Sequence, residues 1–125
     1  SISRAEAWLA IGQAEAALGR DAKASLKDAR NFAARIGDME IRDSILADIA
    51  GTEMGVRYFE EARETLASIQ DIDRRTGVLV ELMQAQAGAG DMAGAVETAV
   101  RILDAVHGAK REEALRAIWR APYKI

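Results

Sequence analysis

The chain has 125 residues, half of them apolar, and a formal net charge of −3. This length suits one domain with a single core, and the apolar fraction argues against a disordered chain. The chain has no cysteine, which excludes disulfides and thiolate metal sites, and its acidic balance argues against nucleic acid as the partner.

Hydropathy along the chain also limits the class of protein. No apolar run approaches the roughly 18 residues of a membrane span, so we expect a soluble protein without one and favour the cytoplasm. The chain begins Ser-Ile-Ser rather than with methionine, and we therefore expect a processed form or a fragment of a longer protein. No stretch combines β-branched and aromatic residues with a period of two, so we predict no strand.

Apolar residues recur instead at the three-and-four spacing of helices along the whole chain. In chain order we predict helices at about 4–18, 22–36, 39–55, 57–70, 72–87, 92–106 and 109–121. The predicted helix caps are Ser3, Asp21, Asp38, Asp71 or Asp73, and Asp91. Gly90 is predicted to end the fifth helix in the left-handed conformation, and Pro122 to stop the last one.

The helical spacing also separates inward from outward faces. The inward stripe of the first helix is predicted to contain Trp8, Ile11, Gly12 and Glu15. On the fourth helix, the charged residues Glu60, Glu61, Arg63 and Glu64 are predicted to form a solvated face.

The helices form an internal repeat. Trp8, Leu46, Leu79 and Leu115 follow one another at similar intervals, and each has an apolar residue three positions on. Ala24, Ala62 and Ala95 each stand at one constant distance after the first three of these. We therefore predict that these alanines are buried where the two helices of a pair cross. The period is that of a two-helix repeat, about 34 residues in the best-known case.

On these residues the chain resembles the tetratricopeptide repeat family, whose repeat has an aromatic, then Leu-Gly, a glycine turn and an alanine in the second helix. The first repeat matches at Trp8, Ile11, Gly12, Gly19 and Ala24, and the third at Leu79, Leu82, Gly90 and Ala95. The second matches at Leu46, Ile49 and Ala62, but Arg57 stands at the place of the turn glycine. The family's closing proline is missing from all three repeats.

The resemblance implies an all-α fold, a right-handed α-solenoid of three antiparallel helix pairs with a C-terminal capping helix. The chain would be a single domain, with repeats at about 3–37, 38–70 and 71–107 and the terminal helix at 109–121. Other helical solenoids and a plain helix bundle are the alternative architectures.

In the family, the first helices of the pairs line a concave groove that holds a peptide or a partner helix. Carried over by position, the groove would contain Glu6, Leu9, Gln13, Ser44, Asp48, Val80, Glu81, Gln84, Arg116 and Arg120. Some relatives clamp a C-terminal carboxylate with Lys and Asn, but here those positions hold Leu9, Gln13, Asp48, Gly77 and Glu81. The resemblance therefore implies a partner other than a free carboxylate tail.

The function expected from the resemblance is a protein–protein interaction module or scaffold. Its partner would be a protein or peptide, basic or amphipathic in character, and self-association is also open. Two alternatives come from other classes: a helical accessory or sensor domain of a larger enzyme or signalling protein, and a small-molecule binder that uses the interior of a hairpin.

No motif predicts catalysis, a cofactor or a metal. His107, the one histidine, precedes Gly108 at a helix end, where an imidazolium favours the helix dipole. The glycines at 88–94 lack the strand and the spacing of a phosphate loop. The pairs Glu60-Glu61 and Glu112-Glu113 are expected on solvated faces. The basic segment after Gly108 would be either a contact face for an acidic partner or a solvated helix.

Overall fold

The computed structural model describes residues 2–105 and residue 116, and six α-helices occupy the first of these ranges. They are α1 (Ile2–Ala17), α2 (Lys23–Ala33), α3 (Met39–Gly55), α4 (Phe59–Ala67), α5 (Ile72–Gly88) and α6 (Met92–Ala105). Within these residues there is no strand, so the predicted all-α class is confirmed. The predicted helix at 109–121 lies outside the described residues, apart from Arg116, which is helical.

Three helices begin at an aspartate that caps their free backbone N–H groups. Asp38, Asp71 and Asp91 each accept a hydrogen bond from the N–H three residues further on, at 3.0, 3.1 and 3.0 Å. A side-chain oxygen at this place satisfies a donor that has no partner within the helix. The sequence therefore predicted these three helix starts correctly, and the structure selects Asp71 over Asp73.

Two predicted caps are wrong. Ser3 lies inside α1, which already begins at Ile2. Asp21 stands one residue before the N-cap of α2, which is Ala22, and accepts a hydrogen bond from the Lys23 N–H at 3.0 Å. In both cases the sequence contains a residue suited to capping, but it does not mark the helix start. The observed start differs by one or two residues from the start that a cap at this residue predicts.

The turn inside each helix pair contains a residue with positive φ. Gly19 and Gly90 have φ values of 71° and 84°, and Arg57 has 64°. Arg57 thus adopts the conformation of the turn glycine that it replaces. For a residue with a Cβ this conformation costs about 1–2 kcal/mol, so the second turn holds strain that the other two avoid.

The helices pack mainly against their neighbours in the chain. The most extensive contacts join α1 with α2, α3 with α4, and α5 with α6. Further contacts join α1 with α3, α3 with α5, α2 with α3, and α4 with α5. Within the described residues α1 has no contact of similar extent with α5 or α6. The core runs between the helices of each pair and across to the next one, and includes Leu9, Leu26, Leu46, Ile49 and Leu82.

The predicted alanine positions are buried in two pairs and not in the first. Ala62 and Ala95 are buried, but Ala24 is exposed. The cause is the linker, since residues 18–22 separate α1 from α2, whereas 56–58 and 89–91 separate the later pairs. The longer linker changes the register, so that Leu26 approaches Gly12, where a Cβ would meet the leucine side chain. The predicted inward position of Ile11 is also wrong, because its side chain is 45% exposed.

Several structural features recur at one sequence interval. The buried isoleucines Ile36, Ile69 and Ile102 are equally spaced along the chain, and we call their spacing the common interval. The same interval separates three further pairs of equivalent residues: the caps Asp38 and Asp71, the positive-φ residues Arg57 and Gly90, and the buried alanines Ala62 and Ala95. The second and third helix pairs therefore share one register from the start of each first helix to the end of each second helix.

Candidate functional site

The structure places most of the predicted groove residues at the surface of the first helices, α1, α3 and α5. Glu6, Gln13, Asp48, Glu81 and Gln84 are exposed, and Ser44 and Val80 are half-buried. We call these seven residues the first-helix surface. Arg116 is exposed, and Arg120 lies outside the described residues.

The expectation for Leu9 is corrected. Its side chain is only 8% exposed and belongs to the hydrophobic core with Ala5 and Leu26. The family pattern assigned Leu9 to the groove by its position in the repeat, but Leu9 is buried more deeply than the neighbouring Trp8, which is half-buried. A buried leucine cannot line an open surface, and Leu9 is therefore not part of the first-helix surface.

A hydrogen bond joins the first-helix surface across two helices. Gln13 Nε2 on α1 donates to Thr52 Oγ1 on α3 at 3.4 Å, and Thr52 Oγ1 donates to the Asp48 carbonyl oxygen at 3.1 Å. These bonds bring Gln13 close to the turn of α3 that carries Asp48. Two of the predicted residues thus lie near each other in space although they are far apart in the sequence.

The first-helix surface carries carboxylates without a salt bridge to any described residue. Glu6, Asp48 and Glu81 are exposed, and within the described residues none of them forms a salt bridge. Several carboxylates on adjacent helices create a negative electrostatic potential, which attracts basic groups. The exposed carboxylates therefore give the first-helix surface an acidic character on α1, α3 and α5.

Near these carboxylates, two helix positions are occupied by glycine although no packing contact within the described residues requires a residue without a side chain. Gly51 and Gly77 lie inside α3 and α5, and a Cβ at either position would meet no atom of another element within 4 Å. They correspond to Gln84 and Ser44, each one common interval away. A glycine inside a helix is less favourable than alanine by roughly 0.5–1 kcal/mol, and nothing in the described structure offsets that cost.

On the second helices α2, α4 and α6, several charges are paired from one helix pair to the next. Arg30 Nη1 lies 3.1 Å from Glu64 Oε2, and Arg63 Nη1 lies 3.3 Å from Glu97 Oε2. The two arginine side chains are only 13% and 16% exposed. The predicted solvated face of α4 is thus partly an interface, since Arg63 and Glu64 link α4 to its neighbours. Sequence reasoning missed these pairs because the two partners of each belong to different helix pairs and are far apart in the sequence.

A buried carboxylate fixes the connection between α4 and α5. Asp43, on α3, is 1% exposed and accepts hydrogen bonds from the N–H groups of Gln70 at 3.2 Å and Asp71 at 2.9 Å. Arg42 binds the same region, since its guanidinium donates to the Ile36 carbonyl at 3.2 Å and to the Gln70 side chain at 2.7 Å. These residues have a structural role, because their polar groups are used to hold two linkers.

Two hydrogen-bonded pairs of polar side chains are buried, one between α3 and α4 and the other between α5 and α6. Glu53 Oε1 lies 2.6 Å from Thr65 Oγ1, and Gln86 Oε1 lies 2.6 Å from Thr98 Oγ1. All four residues are at most 1% exposed. Burial raises the pKa of Glu53 from 4.5 to about 7, against the lowering effects of the Thr65 hydrogen bond and of the Arg30 charge. The sequence signal that could have revealed the pairs is the equal spacing within each pair and the common interval between the two.

Two clefts of moderate size lie between described residues. One, of about 470 Å³, is lined mainly by Arg42, Arg75 and residues 67–70, and the other, of about 570 Å³, by residues 2–4 and 35–38. Both are open to solvent, and the Arg42 guanidinium in the first is already hydrogen-bonded. An open cleft buries little of a ligand, so the clefts do not favour the small-molecule alternative.

The described residues contain no group of three or more His, Asp or Glu side chains that could hold a metal ion. His107 lies outside them. Among the same residues, no helix combines the length and apolar character that crossing a membrane requires. Comparisons with protein-family models, with curated proteins and with solved structures gave no match.

Proposed function

We propose that the chain is a TPR-like interaction module that binds a peptide or a partner helix on its first-helix surface, and that it acts without catalysis. In this proposal the three helix pairs stack in sequence order as a right-handed solenoid, followed by a terminal helix. The packing supports it, because α3 contacts both α1 and α5 and each helix pair contacts mainly its neighbours, as repeats of a solenoid do.

The observation that carries the proposal is the combination of unneutralised carboxylates and open glycines on the same helices. Asp48 and Glu81 have no ionic partner within the described residues, whereas several charges of the second helices are paired. Gly51 and Gly77 leave the backbone of α3 and α5 uncovered. A partner that packs directly on the backbone of α3 and α5 would explain why these positions are glycine, since glycine permits such a close approach.

The charge of the surface specifies the chemistry of the partner. A segment with Lys or Arg on one side would complement Asp48 and Glu81, and an apolar side could contact the half-buried Val80. Exposed charges steer the encounter and are screened beyond about 8 Å at physiological ionic strength. We therefore propose a basic or amphipathic segment, bound more weakly as salt is added.

The first experiment changes the charges. A partner isolated with the whole chain as bait is titrated against the wild type and an Asp48→Asn, Glu81→Gln double variant at low and high salt. We expect the double variant to lose roughly 2–5 kcal/mol of binding free energy if the two carboxylates are desolvated in the complex. The loss should be much smaller if they lie at the solvent-exposed rim of the interface. The matched control is Glu40→Gln, Asp104→Asn, which changes the net charge equally at two other exposed positions. Equal binding of wild type and Asp48→Asn, Glu81→Gln at both salt concentrations would exclude this surface.

The second experiment fills the glycines. Gly51→Ala and Gly77→Ala should each stabilise the chain by about 0.5–1 kcal/mol, because alanine is the better helix former. The same variants should weaken partner binding, because the added methyl group occupies the space of close approach. Loss of binding in a more stable protein cannot be attributed to unfolding. Unchanged affinity in both variants would mean that the partner binds elsewhere.

A further inference from the structure

The pairs Glu53–Thr65 and Gln86–Thr98 have the same geometry, including a third atom. Thr65 Oγ1 lies 3.0 Å from the Glu61 carbonyl oxygen, and Thr98 Oγ1 lies 3.0 Å from that of Gly94. The three residues of one set are each one common interval from their counterparts in the other. Each threonine hydroxyl therefore stands between a backbone carbonyl and the end of a glutamine or glutamate side chain.

The number of protons decides which groups can satisfy this arrangement. A hydroxyl has one proton, and a backbone carbonyl can only accept. If Thr98 donates to the Gly94 carbonyl, it must accept from its other neighbour. Gln86 can donate there through Nε2, since the oxygen and nitrogen of an amide can exchange places by a turn of the side chain. That turn also gives a partner to Nε2, which is buried without one in the opposite orientation.

Glu53 can reproduce this arrangement only when it is protonated. A carboxylic acid donates to Thr65 Oγ1 as the amide does, and Thr65 then donates to the Glu61 carbonyl. An ionised Glu53 can only accept a hydrogen bond. The Thr65 hydroxyl must then donate to Glu53 and can no longer donate to the Glu61 carbonyl. Its Oε2, which is buried without a hydrogen-bond partner, would then share a negative charge that no hydrogen bond to this atom stabilises, whereas in the acid it is an uncharged carbonyl oxygen.

We propose that the Glu53–Thr65 pair is a proton-controlled joint between α3 and α4, closed when Glu53 holds its proton and loosened when it ionises. The Gln86–Thr98 pair is the permanently closed equivalent between α5 and α6. The joint lies in the second helix pair, where α3 contacts α1, α2, α4 and α5. A change in the α3–α4 contact would therefore reach elements on both sides.

Burial, together with the polar and charged groups around Glu53, sets its pKa near neutral pH. Burial is the main cause that raises its pKa to about 7, and Glu61 and Glu64 on α4 raise it further. The hydrogen bond with Thr65 and the charge of Arg30 on α2 lower it. Arg30 is itself paired with Glu64 at 3.1 Å. The main charged causes of this shift lie on α2 and α4, and none of them lies on the described residues of α1 or α5.

The raised pKa sets the direction of the pH dependence. The folded chain binds this proton more tightly than the unfolded chain, in which the pKa is near 4.5. The contribution of Glu53 to stability is therefore complete below about pH 4.5 and is lost as the pH rises to about 7. Each unit of pKa difference is a tenfold change in the unfolding constant.

The experiment compares urea denaturation of the wild type and Glu53→Gln between pH 4.5 and 8. The ratio of their unfolding constants should change by roughly one to two orders of magnitude over this range, with Glu53→Gln the more stable protein at pH 8. All other titrating groups are common to both proteins, so their contributions cancel. At pH 8, amide hydrogen exchange in α4 should be faster in the wild type than in Glu53→Gln.

Gln86→Glu is the matched control, because it places the same acid in the equivalent pair. It should add a second loss of stability with rising pH, carried by α5 and α6. A direct measurement is the titration of the Glu53 carboxyl carbon in the folded wild type by NMR, which we expect to have its midpoint near pH 7. A midpoint near 4.5, or the same pH dependence in wild type and Glu53→Gln, would overturn the proposal.

Discussion

The helix pairs α3–α4 and α5–α6 build the same structure from different residues. Both have a capping aspartate, a buried alanine and a buried threonine at positions separated by the common interval. Two of their differences concern stability directly: α3–α4 has Glu53 where α5–α6 has Gln86, and Arg57 where α5–α6 has Gly90. At both places the second pair holds the less favourable residue, a buried acid or a side chain with positive φ.

This comparison shows that the backbone path is set by positions common to both pairs and tolerates strain at the others. The shared apolar positions bury large side chains, and each contributes about 1.5–3 kcal/mol when fully removed from water. That is more than the roughly 1–2 kcal/mol that a left-handed arginine costs. The fold of α3–α4 is therefore retained, and its local stability is expected to be the lower of the two.

The strongest way to break the comparison is to truncate an equivalent core leucine in each pair. Leu46→Ala and Leu79→Ala should each destabilise the chain by about 2–5 kcal/mol through lost burial and a residual cavity. We expect the larger loss at Leu46, because α3 is contacted by four helices and α5 by three. Urea denaturation of both variants measures the difference. A larger loss at Leu79 would show that the centre of the core lies in the third pair.

The second test overpacks the crossing of each pair. Ala62→Leu and Ala95→Leu should each destabilise by about 1–3 kcal/mol, because both alanines are buried and have no room for three more carbons. Ala24→Leu is the control, since Ala24 is exposed and a surface substitution usually changes stability by less than about 0.5 kcal/mol. Thermal denaturation of the three variants is sufficient. An equal cost at Ala24 would restore the register predicted from the sequence.

The smallest effects concern the two turns. Arg57→Gly should stabilise the chain by up to about 1 kcal/mol, because it removes the left-handed strain but adds freedom to the unfolded chain. Gly90→Ala should destabilise by about 1–2 kcal/mol, since it introduces that strain. Opposite signs in chemical denaturation would confirm that the residue at the positive-φ position stabilises one turn and destabilises the other. A destabilising Arg57→Gly would mean that the arginine side chain contributes contacts of its own.

Much of the fold could be predicted from the sequence, because helices depend on local spacing. All six described helices were predicted, and the caps at Asp38, Asp71 and Asp91 are correct. The left-handed turn at Gly90 is also correct. The first pair was predicted less well, since its longer linker shifts the register of α2 without changing its apolar period.

The candidate site was predicted only in outline. Exposure of Glu6, Asp48 and Glu81 agrees with their place on the outward side of a helical period. Leu9 was misplaced, because the resemblance assigned it by position, whereas the packing of α1 buries it on the same side as Ala5 and Gly12. The binding role of the first-helix surface stays a prediction.

The sequence by itself determined the helices and their order, because these follow from side-chain spacing and capping within a few residues. Only the tertiary structure decided which polar residues meet. Arg30 finds Glu64, Asp43 finds the linker after α4, and Glu53 finds Thr65. Such pairs depend on how one helix is rotated against another, and a rotation of a single residue would separate them. The observed rotation of α3 against α4 also buries Glu53, and this burial raises the pKa of Glu53 to about 7.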